Sequence, residues 1–196
     1  MSDVSDRAKK YMQGVAAIVE RMGADLPAKV EEMVGVLAAA RRAGKRIYTC
    51  GNGGSASTAS HMASDLNKGS NRPDAPRFRA VALTDNIPAM LAWANDSSYE
   101  DVFVEQLRNH VEAGDVVIGI SGSGNSANVL KAIEYANGAG AVTIGLCGFD
   151  GGRLAELAKV AYVVPSDCMQ QVEDVHLIIE HMLSIVLRDS SECAEG

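Results

Sequence analysis

Arg46-Ile-Tyr-Thr-Cys-Gly-Asn-Gly-Gly-Ser-Ala-Ser57 opens as a short apolar run and closes as a glycine- and hydroxyl-rich turn that leads into a segment of helical spacing. Strand, tight loop and helix in that order form the repeating unit of a parallel α/β sheet. The unit returns at Asp115-Val-Val-Ile-Gly-Ile-Ser-Gly-Ser-Gly-Asn-Ser126. Apolar runs at 46–50, 79–83, 116–120, 142–146 and 160–164 are five predicted strands. Helical spacing between them predicts helices at 55–68, 87–94, 100–111, 125–137 and 152–158, with a long final one from about 169 to 188. The alternation implies an α/β fold, a mostly parallel sheet covered by helices on both faces. Ahead of the first strand, apolar residues from about 4 to 42 recur at helical spacing, Tyr11, Val15, Ile18 and Met22 and then Val30, Met33, Val34 and Leu37. Two N-terminal helices are expected there, with Pro27 in the first turn of the second and Gly44 at its end. Their apolar stripes suit a scaffold and would also suit an oligomer interface.

The two loops carry the functional signal. Sheets of this kind bind ligands beyond the carboxyl ends of their strands. Glycine turns backbone N–H groups toward a ligand, hydroxyls add donors, and the free N–H groups of the following helix favour an anion. Either loop alone is equally consistent with ordinary turn chemistry. Two at equivalent strand-to-helix positions point to a phosphate held without lysine. Both also match G-x-G-x-x-A, at Gly51, Gly53 and Ala56 and at Gly122, Gly124 and Ala127. A dinucleotide site wants an acidic residue ending the next strand; none follows the first loop, and Asp150 comes late after the second. No Gly-Lys-Ser or Gly-Lys-Thr follows either loop, which excludes a P-loop.

Composition narrows the classes further. The chain has 196 residues, 47% of them hydrophobic, and no linker-like stretch, so a single domain over 1–196 is expected to hold itself together without disulfides or a structural metal. A formal net charge of −7 gives no basic footprint for nucleic acid or an anionic membrane. Cys50, Cys147, Cys168 and Cys193 are dispersed, with neither a C-x-x-C pair nor zinc-type spacing, which fits reduced thiols in cytoplasm. The N-terminal residues lack the apolar core of a signal peptide, and the apolar runs suit buried strands rather than membrane spans.

Titratable residues collect on two of the predicted helices. His61 and Asp65, four apart, share a face and could chelate a metal, share a proton or form a plain surface pair. On the last helix Glu173, His176 and Glu180 stack closely at about 100° per residue, and His181 lies roughly 80° from Glu173. Imidazole and carboxylate together suit proton transfer near neutral pH or a divalent ion such as zinc.

These residues, in this order, resemble the phosphoheptose isomerases of the sugar-isomerase (SIS) domain family. The resemblance runs over nearly the whole chain. It is carried by Cys-Gly-Asn-Gly-Gly-Ser at 50–55, His61, Ala-Asn-Asp at 94–96, the strand at 114–121 and Ser-Gly-Asn-Ser-Ala-Asn-Val at 123–129. Asp-Gly-Gly at 150–152, Val-Pro-Ser at 164–166 and the helix spanning His176 and His181 complete it. It implies a three-layer αβα sandwich of flavodoxin-like type, a homotetramer, and conversion of sedoheptulose 7-phosphate to a heptose 7-phosphate. Within the family, catalytically silent adaptors that act through protein partners are the alternative, and the retained His61 and His181 argue against it. By the same resemblance Asn52, Gly53, Gly54 and Ser55 help hold the sugar, with Asn95, Asp96 and Glu173. Ser121, Gly122, Ser123 and Ser126 form the phosphate loop. Asp65 and His181 exchange protons with the substrate, and His61, Asp65, Glu173 and His181 form the expected zinc set. The family pattern usually has Glu at the place of Asp65, often Gln at that of Glu173 and often Thr at that of Gly122. An Asp carboxylate reaches about 1.5 Å less far than Glu, one C–C bond.

Overall fold

The computed structural model describes residues 2–189; Cys193 lies outside the described residues. Strands β1 (Arg46–Gly51), β2 (Arg79–Ala82), β3 (Val116–Ser121), β4 (Val142–Cys147) and β5 (Val160–Val163) pair in parallel in the order β2-β1-β3-β4-β5. All five lie where the apolar runs place them, to within a residue. The chain starts mid-sheet at β1, moves out to β2, then crosses back to β3 on the other side of β1. That reversal opens a crevice at the carboxyl ends of β1 and β3, the switch point at which such sheets bind ligands.

Among the described residues eight α-helices surround the sheet: α1 (Ser2–Met22), α2 (Leu26–Arg42), α3 (Gly54–Ser64), α4 (Ile87–Asp96), α5 (Val104–His110), α6 (Ala127–Gly138), α7 (Gly152–Leu157) and α8 (Met169–Asp189). Successive strand side chains point to opposite faces, and this alternation divides the core in two. Ile47, Ile118, Ile120 and Leu146 pack with Met33, Leu37, Met62 and the α8 stripe Val172, Val175, Ile179 and Leu183. Tyr48, Cys50, Val117 and Cys147 pack on the other face with Leu107, Val129, Ile133 and Leu154. The helices thus form the outer two layers of a three-layer sandwich.

Two expected helices differ in detail. The helix predicted through residue 68 leaves α-geometry at Ser64, and Asp65–Gly69 form a single π-helical turn. The wider turn brings Asn67 to the edge strand β2. There its side-chain amide donates to the Ala80 carbonyl (2.8 Å) and its carbonyl accepts from the Ala80 N–H (2.9 Å). Pairing the sheet edge this way accounts for the widened turn. The helix predicted at 100–111 is broken into a 3₁₀ turn, Tyr99–Asp101, and α5. Val102, Phe103 and Val104 are all buried, and three consecutive buried residues cannot share one helical stripe. Among the described residues no helix is long and apolar enough to cross a membrane.

Candidate active site

Because β1 and β3 are hydrogen-bonded neighbours, the loops that follow them stand side by side. Together with the start of α8 they enclose a cavity of about 260 Å³. Asn52, Gly53, Gly54 and Ser55 line it from the first loop, and Ser121, Gly122, Ser123 and Ser126 from the second. Gly53 has φ of +56°, a conformation costly for other residues, and precedes the first turn of α3, so the chain can enter the helix at that angle. The first loop is tied to the first turn of α6, directly after the second loop, by a reciprocal amide pair. Asn52 and Asn128 each donate to the other's side-chain oxygen at 2.9 Å, and the Tyr99 hydroxyl adds a third bond to Asn52 at the same distance. In the second loop the Ser121 and Ser126 hydroxyls lie 3.0 Å apart. Ser126 precedes α6 without capping it, so its hydroxyl stays on the cavity side. Among the described residues no lysine or arginine lines the cavity. Backbone N–H groups at the starts of α3 and α6, with the hydroxyls, are what an anion would meet.

Glu173 lines the same cavity from α8. Its carboxylate lies so close to Gly54 that a Cβ at that position would collide with it. Likewise a side chain on Gly122 would collide with the Met169 sulfur. Glycine at these two positions therefore lets the N-terminal turns of α8 close on the loops.

A second group of side chains forms farther along α8, where it crosses α3. His61 and His181 meet edge to face, ring centroids 5.0 Å apart. The Asp65 carboxylate is 3.8 Å from His61 Nε2, and Glu180 Oε2 is 3.4 Å from His181 Nε2. One ligand-type atom from each of the four lies within 4.8 Å of all the others. Glu180 is 1% exposed, and its Oε2 has no hydrogen-bond partner. Burial, and then the negative charge of Asp65, push its carboxyl up to about 7.

Of the expected metal set, His61, Asp65 and His181 come together and Glu173 does not. Glu173 sits two helical turns toward the start of α8, about 10 Å along the axis, and Glu180 stands in the cluster instead. Seven residues make nearly two full turns, so both carboxylates share a face of α8. The sequence pattern shows the shared face, but not the level at which α3 crosses it. His176, on that face between them, is core: it is fully buried, and its Nε2 lies 3.0 Å from the Cys147 carbonyl at the end of β4. A carbonyl accepts, so Nε2 carries the proton; Nδ1 is left without a partner. Burial, opposed in part by this bond, lowers the imidazole pKa to about 4. Asn95 and Asp96 stand apart from the cavity lining; both are exposed at the end of α4 and bond to each other at 2.8 Å.

A parallel sheet with two hydroxyl-rich loops at its switch point defines the class, and the chain belongs to the SIS domain family, whose model matches residues 10–148. Within that family it groups with the phosphoheptose isomerases. The enzyme of that name from Rhodospirillum rubrum is 38% identical over 95% of this chain and 98% of its own length. That from Sulfurimonas denitrificans is 37% identical over 94% and 93%. Among solved structures, phosphoheptose isomerase from Neisseria gonorrhoeae superposes with a TM-score of 0.89 at 29% identity, covering 95% of this chain and all of that one.

Proposed function

We propose that this protein is an aldose-ketose isomerase that converts sedoheptulose 7-phosphate to a heptose 7-phosphate through an enediol. The observation that carries the reading is the disposition of two sites along α8, the loop cavity at Glu173 and the His/carboxylate cluster two turns beyond it. An extended seven-carbon sugar spans about 10 Å from C1 to phosphorus at ~1.2 Å per bond, close to the axial distance between Glu173 and Glu180. A phosphate at Ser121, Ser123, Ser126 and the two helix starts would therefore place the carbonyl end near the cluster. Asn52, Ser55 and Glu173 would bond sugar hydroxyls, and the shape of the loop at Gly53, Gly54 and Gly122 would set how close the sugar comes.

For the proton shift, Asp65 is the base that takes the proton beside the carbonyl, and His181 supplies a proton to the carbonyl oxygen; the return transfer reverses these roles. Phosphate binding energy holds the reacting carbons in place for it. His61, Asp65 and His181, two imidazoles and a carboxylate that converge, fit a zinc ion, which when bound would polarise the carbonyl and hydroxyl oxygens. The reading includes a homotetramer acting in the cytoplasm. In support, α1, α2 and α8 leave a groove of about 700 Å³ lined by Val19, Met22, Leu26, Val34, Ile178 and Met182. Ile87 and Leu91 of α4, beside Asn95 and Asp96, are also more than half exposed. Such surfaces suit burial against further copies.

The assay is incubation of the protein with sedoheptulose 7-phosphate and detection of an aldose 7-phosphate product. Absence of product, with or without added zinc, would overturn the isomerase reading.

A further inference from the structure

Asn52 is held in one orientation by contacts that a plain turn does not need. Its Oδ1 accepts twice, from Asn128 Nδ2 and from the Tyr99 hydroxyl, and its Nδ2 donates to Asn128 Oδ1, all at 2.9 Å. An isolated pair of amides could turn over together and keep the same two bonds between them. Here the backbone decides which way round they stand. The Val129 N–H, one of the donors that the first turn of α6 leaves without a helical partner, bonds Asn128 Oδ1 at 2.9 Å. That atom must be an oxygen, so Asn52 has to present its nitrogen to it. An amide oxygen has two lone pairs and an amide nitrogen two hydrogens. Both lone pairs of Asn52 are taken and one N–H is used. A single N–H remains on a side chain that lines the loop cavity.

Tyr99 reaches Asn52 from the 3₁₀ turn 99–101, and that turn is tied to α6. Lys131 binds Glu100 Oε2 at 2.9 Å and Asp101 Oδ1 at 3.1 Å, and Asp101 Oδ2 accepts from the Ser97 hydroxyl at 2.6 Å. Tyr99 is more than half exposed, so burial does not place its hydroxyl. The α6 helix therefore supports Asn52 twice, directly through Asn128 and at second hand through Lys131 and Tyr99.

We propose that Asn128 and Tyr99 are positioning residues that fix Asn52 as a donor only, so that it gives one hydrogen bond to an acceptor oxygen of the bound sugar phosphate and accepts none. The proposal rests on the reading of the loop cavity as the sugar-phosphate site. Both residues act on the substrate through Asn52 alone.

The test is a double-variant cycle on the full-length protein, with binding of sedoheptulose 7-phosphate and of inorganic phosphate read by calorimetry and turnover read beside them. Tyr99→Phe, which removes one oxygen atom, is expected to weaken sugar-phosphate binding about threefold to tenfold, the loss of one hydrogen bond, with turnover and phosphate affinity nearly unchanged. In an Asn52→Ala background the same change is expected to have no effect, because Tyr99 then has no amide to hold. Asn128→Ala should follow the same pattern with a loss of about tenfold or more. Should it not fold, Asn128→Asp, which keeps the acceptor and loses the donor, is read in its place. Unchanged affinity in the Tyr99 or Asn128 variant would overturn the proposal. So would a Tyr99→Phe loss that persists in Asn52→Ala, since Tyr99 would then meet the substrate itself. A second reading needs no substrate. In ligand-free protein the side-chain amide of Asn52 is expected by NMR to be as rigid as the surrounding backbone, and to become mobile in Tyr99→Phe and in the Asn128 variant. An amide already mobile in wild type, or equally rigid in all three, would overturn the proposal. If wild type binds no sugar phosphate, the isomerase reading falls, and the positioning of Asn52 is decided by the amide alone.

Discussion

The two halves of the candidate site are built by different means. The loop cavity is made chiefly of two turns whose glycines and hydroxyls follow one another in the chain, closed by Met169 and Glu173 of α8. The cluster at the other end is made of side chains from α3 and α8, helices separated by more than a hundred residues. A site made of local backbone tolerates small changes in how helices pack, because its donors move together. A site made by crossing helices changes when either helix shifts by a fraction of a turn. Affinity should therefore depend chiefly on the loops, and turnover on the crossing.

The sharpest way to break this division is Asp65→Asn, which removes the proposed base with little change of shape. Turnover is expected to drop by about 10² to 10⁴ with a much smaller change in KM. Full turnover in this variant would remove Asp65 from the chemistry. Asp65→Glu then asks how the crossing is tuned. The π-helical turn starts at Asp65, so the longer side chain should retain activity only if the cluster has room for one further carbon.

The crossing itself depends on the seating of α8, and His176 provides a test of that. Its imidazole is neutral when folded, with a pKa lowered to about 4, whereas an unfolded histidine titrates near 6.5. The unfolded state thus takes up the proton first, so the stability associated with a neutral His176 is complete above pH 6.5 and is lost as pH falls toward 4. The loss amounts to roughly 3 kcal/mol at most. Glu180 acts in the opposite sense, since its raised pKa lets the folded state take a proton first between about pH 7 and 4.5. Wild type alone would therefore show a flattened profile. The comparison to make is denaturant unfolding of wild type and His176→Gln from pH 7 to 4.5. The glutamine variant should become relatively more stable on acidification, and parallel curves would mean that His176 titrates normally.

The same contrast explains what could be read from the sequence. Strands, helices and both loops are local patterns, and they lie where periodicity and turn residues place them except at the helices expected over 55–68 and 100–111, of which the first leaves α-geometry after Ser64 and the second is broken ahead of Val104. Sheet order is not local; it rests on the alternation of strand and helix together with the family resemblance. The convergence of His61, Asp65 and His181 entered by resemblance, because a helical pattern assigns a face but not the height at which a neighbour crosses. Glu173 and Glu180 show that limit: same helix, same face, different neighbours. The π turn at Asp65 was illegible for a related reason, since Asn67 reaches the sheet edge only after the edge strand has formed.

A smaller effect is expected at the loops. Replacing Ser121 and Ser123 together by alanine removes two proposed phosphate donors. A hydrogen bond to a charged group contributes about 1.5–3 kcal/mol, so affinity for the sugar phosphate should fall tenfold or more, with zinc affinity unchanged. Calorimetry with substrate and with zinc reads the two separately. A loss of zinc binding would show that the halves are not independent.

Gly54→Ala gives the smallest effect and probes the place where α8 closes on the loop cavity. Its φ is not positive, so alanine meets no backbone penalty; the obstacle is the Glu173 carboxylate, which occupies the space a Cβ would take. A carboxylate at the end of a flexible side chain can rotate away, so the fold should survive and the cost should fall on whatever Glu173 does. If Glu173 bonds sugar hydroxyls, KM should rise several-fold, about 1 kcal/mol, with turnover and zinc affinity nearly unchanged. Glu173→Ala should produce a similar rise, and the double variant should cost little more than either alone, because both changes remove the same contact. Additive losses would mean that Gly54 acts through the backbone of the loop and that Glu173 makes its contribution independently of it.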